Sequence, residues 1–109
     1  MVPHINMSGA ERNVRPMSKA LLLLHFTVHN HNNSNASATR AIRMTYMYSF
    51  VFATQLQVAE QKFRARILIK PVGSGEARSL PWSGDVVGKK KAEQVAAYLA
   101  LTQLLAETR

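Results

Sequence analysis

The chain has 109 residues, enough for one small domain with a core and too few for a second complete one. Lysine and arginine number 14 against 6 acids, a net charge of +8 that favours polyanionic partners such as nucleic acid or acidic lipid. The absence of cysteine excludes disulfides, thiolate nucleophiles and cysteine-based zinc sites. No apolar run approaches the roughly 18 residues that a membrane-spanning helix needs, so no membrane partner is expected.

Residues 1–43 read as a poorly ordered or targeting-like segment. Arg12, Arg15 and Lys19 precede the apolar Ala20–Leu24, but that run is short and late for a secretory signal. A basic, acid-poor start fits an organelle transit peptide better, with nucleus or cytoplasm as the default location. The tract from Asn30 to Asn35 has almost nothing to bury and many side chains that compete for backbone hydrogen bonds, so a loop is expected there. Asn6, Asn32 and Asn35 each open a glycosylation-type triplet, a pattern that chance supplies readily in asparagine- and serine-rich sequence. His25, His29 and His31 raise the question of a metal, which the lack of a nearby carboxylate answers in the negative.

From residue 44 onward the pattern becomes that of a folded domain. Tyr46, Tyr48, Phe50 and Phe52 alternate as in a half-buried strand, and Gln55–Lys62 has a helix-favouring composition. Phe63, Ala65, Ile67 and Ile69 alternate with Arg64, Arg66, Leu68 and Lys70, giving a strand with one apolar and one mostly basic face. The basic face reads as ordinary solvation and edge protection. Pro71 ends the strand, a glycine-rich turn follows, and Ala77–Trp82 forms a returning strand with Pro81 at its end or at an edge. Trp82 and Tyr98 read as packing residues.

The strongest helical signal runs from Lys89 to about Ala106, with no glycine or proline. Ala92, Ala96, Ala97, Ala100, Leu101 and Leu104 make one apolar stripe, which predicts packing on a sheet through a close backbone approach. Lys89, Lys90 and Lys91 open the helix, where the dipole disfavours cations, so an anionic partner that offsets the cost is expected.

The stretch from Lys89 to Leu104 resembles the last helix of the double-stranded-RNA-binding domain: Lys-Lys-x-Ala-Lys/Glu, two residues, Ala-Ala, two residues, Ala-Leu, two residues, Leu. The resemblance covers about residues 60–105, within a domain placed at 44–109. It implies an α+β fold, helix, three antiparallel strands and helix, with the C-terminal helix packed on one face of the sheet. It implies duplex RNA as partner, read by shape and phosphate contacts, with Lys89 and Lys90 as contacts and Lys91 as auxiliary.

Upstream the pattern departs from the family. No Gly-Pro-x-His loop precedes Phe63, no first helix followed by a first strand is evident, and Gly88 replaces the usual serine at the helix entry. Either the domain is divergent or truncated, with the strand at Tyr46–Phe52 filling in for a missing element, or the N-terminal half is extraneous. The acids Glu11, Glu60, Glu76, Asp85, Glu93 and Glu107 stand singly, without the paired carboxylates of metal-dependent nucleases, and no phosphate-cradling glycine loop exists. A non-catalytic, cofactor-free module is expected, acting in an RNA-processing or RNA-silencing complex. The alternative is a module of the same fold that binds another protein of such a complex and has little affinity for RNA.

Overall fold

A computed structural model describes residues 14–29, 35–73 and 75–107 of the chain. In chain order the elements are β1 (Arg15–Pro16), α1 (Lys19–His29), α2 (Asn35–Thr45), β2 (Tyr48–Gln57), β3 (Lys62–Pro71), β4 (Arg78–Ser79), β5 (Val86–Val87) and α3 (Lys89–Glu107). The protein is α+β: one antiparallel sheet ordered β1-β2-β3-β4, with β5 also paired to β3, and a C-terminal helix packed against it.

The two long strands form the body of the sheet, in a register running from Phe50 opposite Lys70 to Gln57 opposite Phe63. The expected helical turn at Gln55–Lys62 does not form. Gln55 and Gln57 continue β2 opposite Ala65 and Phe63, because a strand bonded along its length to a neighbour outweighs the few tenths of a kcal/mol in local propensity. The chain then reverses through residues 58–61, closed by Val58 N–H donating to the Lys62 carbonyl at 3.0 Å and by the Gln57 side-chain amide donating to the Glu60 carbonyl at 2.9 Å.

The four alternating aromatics also separate. Tyr46 lies in the turn before β2, and a register shift between Tyr48 and Phe50 changes which side chains face inward. Tyr48 is buried, whereas Phe50 points outward and the inner face continues with Val51, Ala53 and Gln55. The returning strand is divided in two. Leu80 N–H still donates to the Ile67 carbonyl at 2.9 Å, but Pro81 has no N–H to continue the ladder. Ser83 restores the link, its N–H donating to the Ala65 carbonyl at 2.8 Å and its hydroxyl accepting from Ala65 N–H at 3.1 Å.

Helix α3 covers the inner face of the sheet. Its predicted stripe is the buried one: Ala92, Ala96, Ala97, Ala100, Leu101 and Leu104 are each at most 2% exposed. Facing alanines on both elements, with Ala53 and Ala65 on the strands at 1% and 0%, let the helix axis approach the sheet closely. Burial adds Glu93 and Leu105, which the stripe omits.

Residue 43, after which a division is expected, lies within α2. Ser18 caps helix α1 from the position before it, its hydroxyl accepting from Leu21 N–H at 3.0 Å. It lies against α3 and buries Leu22, His25 and Phe26, the Phe26 ring stacking on Tyr98 with centroids 5.9 Å apart. Helix α2 contributes Ala41 and Met44 to the same core. Its Arg40 guanidinium donates to the Leu105 carbonyl at 3.0 Å, satisfying one of the open acceptors at the C-terminal end of α3. The short apolar piece Ala20–Val28 therefore forms a packed helix, because α3 offers it a surface that the local sequence does not reveal. The tract expected as a loop falls mostly on residues 30–34, outside the described residues. So do the candidate targeting residues before residue 14 and His31.

Glu93 organises the contact between the N-terminal elements and α3. Its carboxylate receives the Arg15 guanidinium of β1 at 2.5 Å and lies 3.8 Å from His25 Nε2 of α1. Nε2 has no hydrogen-bond partner among the described residues. Burial pushes the His25 imidazole below its ordinary pKa; Glu93 opposes this shift and Lys90 adds to it. As pH falls through about 6.5, the ordinary histidine value, the unfolded chain takes up a proton that folded His25 resists, and stability falls. Urea unfolding should show lower stability at pH 5.5 than at pH 7, with a smaller difference in His25→Gln. An unchanged difference in that variant would assign the acid sensitivity elsewhere.

Candidate nucleic-acid interface

Lys89, Lys90 and Lys91 form the first turn of α3, and all three are exposed. Helix entry is made by Gly88 at φ +96°, a left-handed conformation that a side chain would strain. The Gly88 carbonyl accepts the first helical bond from Ala92 N–H at 3.1 Å. Having no side chain, Gly88 cannot accept from the N–H groups of the first turn, as a serine in its place would. Three exposed lysines thus stand at the positive end of the helix dipole, beside N–H donors that no Gly88 side chain caps. No acid lies in the first turn.

Neighbouring strands hold this corner in place. Gln55 of β2 donates its side-chain amide to the Lys89 carbonyl at 3.3 Å, and Gly88 N–H donates to the Gln61 carbonyl at 3.0 Å. The Lys89 ammonium stands over the Phe63 ring, 5.7 Å from its centroid. Sequence spacing does not bring Lys62 into the picture. The register does, setting Lys62 opposite Val87, two residues before the triad. Strand pairing was the missing signal.

The basic residues of β3 lie elsewhere. Phe63, Ala65, Ile67 and Ile69 turn toward the helices, so Arg64, Arg66 and Lys70 alternate onto the opposite face of the sheet. Arg64 is held by Asp85 at 2.5 Å, and the Arg66 guanidinium covers the Trp82 ring at 4.5 Å from its centroid. Trp82 is thus a half-buried packing partner on the outer face, and Tyr98 packs on the core. Of the three histidines weighed for a metal, His25 is buried beside Glu93. No group of three or more metal-ligating side chains occurs among the described residues. No helix among them is long and apolar enough to cross a membrane.

No protein-family model, curated protein or solved structure matches the chain.

Proposed function

We propose that the protein binds double-stranded RNA without catalysis, by shape and phosphate contacts, with Lys89 and Lys90 as principal contacts and Lys91 as auxiliary. The observation that carries this reading is the exposed lysine turn of α3, which opens on a glycine that leaves the helix N-terminus accessible to phosphate oxygens. The order of β2, β3, the broken β4–β5 strand and α3, with α1 packed beside α3, supports the likeness to the double-stranded-RNA-binding domain. The turn at residues 58–61 is short and has no reach toward a second minor groove, so weak duplex affinity is expected. A role in an RNA-processing or RNA-silencing complex, in nucleus or cytoplasm, accords with this chemistry.

A protein-interaction role is the second reading, favoured by one feature. Leu24, Val28 and Ile42 of α1 and α2 are about half exposed, beside a cleft of about 240 Å³ lined by Ala20, Leu23, Leu24, Thr27, Ala41 and Ile42.

A salt-titrated assay against duplex RNA, duplex DNA and single-stranded RNA, with the Lys89→Ala/Lys90→Ala variant, separates the two. Duplex RNA should be preferred, and the variant should lose affinity and about 2 from the slope of log K against log salt, roughly one per lysine. Equal weak binding to all three, unchanged in the variant, would reject the duplex reading.

A further inference from the structure

The outer face of the sheet combines aromatic rings with cations in a pattern that solvation alone does not require. On β2, Phe50 is 54% exposed and Phe52 is half-buried beside it, their ring centroids 6.0 Å apart. Across the ladder, Phe50 pairs with Lys70, Phe52 with Leu68, Thr54 with Arg66 and Leu56 with Arg64. Lys62 has the same parity on β3, so four cations occupy alternate positions along that strand, with Leu68 between Arg66 and Lys70. The Lys70 ammonium lies 5.8 Å from the Phe50 centroid. A strand face serving only solubility would carry the cations but gains nothing from an exposed phenylalanine.

We propose that this outer face is a second nucleic-acid site, one that binds single-stranded RNA or DNA by stacking bases on Phe50 and Phe52. Single strands expose base faces that a duplex keeps stacked inside its helix, and aromatic side chains accept those faces with little regard to sequence. Lys70 beside Phe50 and exposed Lys62 at the other end of the strand provide positive charge for the phosphates, while Arg66 lies over Trp82 and Arg64 is paired with Asp85. Charge decides the class of occupant. A second copy of the chain would bring the same cations against these and meet repulsion, whereas a nucleic-acid backbone brings the complementary charge. The site lies on the sheet face opposite α3 and does not depend on the duplex reading.

The test is titration of the full chain with a single-stranded oligouridylate, which has no partner strand, followed by fluorescence anisotropy of the labelled oligonucleotide and by emission of Trp82. Trp82 is the chain's only tryptophan and lies against Arg66. Phe50→Leu/Phe52→Leu keeps apolar bulk and removes the rings; it should weaken oligouridylate binding about tenfold or more while leaving duplex binding unchanged. Phe50→Leu alone, at the more exposed ring, keeps the comparison valid if the double variant unfolds. Lys89→Ala/Lys90→Ala should show the reverse selectivity, so failure of one site is distinguishable from failure of the other. Oligouridylate binding that is absent, or equal in wild type and both leucine variants, would overturn the proposal. Concentration-dependent dimerisation that oligouridylate does not displace would also overturn it, by assigning the face to a second copy.

Discussion

Leu101→Ala should destabilise the protein by about 2–5 kcal/mol, the range for removing a buried leucine whose surroundings relax only in part. Leu101 is 1% exposed on α3, within the cluster that joins the helices to the sheet. Two of its neighbours on the stripe, Ala97 and Ala100, have no rotamers by which to fill the space it would leave. For a domain whose total stability falls in the usual range of about 5–15 kcal/mol, the loss is a large fraction. A drop in melting temperature of roughly 10 °C or more should accompany it. Thr102 is exposed on the same helix, and Thr102→Ala should stay within about 0.5 kcal/mol of wild type. Differential scanning calorimetry of the two variants measures both effects, and similar small losses in both would contradict the placement of α3.

Glu93→Gln should cost about 1–2 kcal/mol. The carboxylate is 8% exposed and receives Arg15, whose side chain is 60% exposed. Charge-assisted hydrogen bonds contribute about 1.5–3 kcal/mol, and the solvent access of Arg15 places this one toward the bottom of that range or below it. The variant also removes the negative charge that favours the protonated form of His25, so its stability should fall more steeply than that of wild type below about pH 6.5. Arg15→Ala should reproduce the loss of stability with less effect on the acid limb. Urea midpoints of the three proteins across pH 5–8 give both results; an acid limb unchanged in Glu93→Gln would separate His25 from Glu93.

The elements legible in the sequence are those whose pattern repeats over several turns or strand residues. The α3 stripe and the alternation of β3 each combine one periodicity with one continuous apolar face, and both appear at the expected positions. The candidate contacts Lys89, Lys90 and Lys91 were readable for a related reason: they sit at the end of an unmistakable helix, so their position relative to its dipole follows directly.

What escaped the sequence depended on partners distant along the chain. Helix α1 has a nearly uninterrupted apolar run, and its packing on α3 becomes visible only when Phe26 meets Tyr98 and His25 meets Glu93. Glu93 read only as a position of the helix motif and as an isolated acid, yet it is buried and receives Arg15, 78 residues away. The aromatic alternation from Tyr46 to Phe52 was visible, but one register shift, which local composition does not encode, sends Tyr48 inward and Phe50 outward. Local sequence thus determined the amphipathic elements and the charge at the start of α3, because propensity and periodicity act over a few residues. Tertiary structure alone decided which face Phe50 shares with Lys70, how Lys62 comes to pair with Val87 and what α1 covers, because those depend on strand register and on packing between segments far apart in the chain.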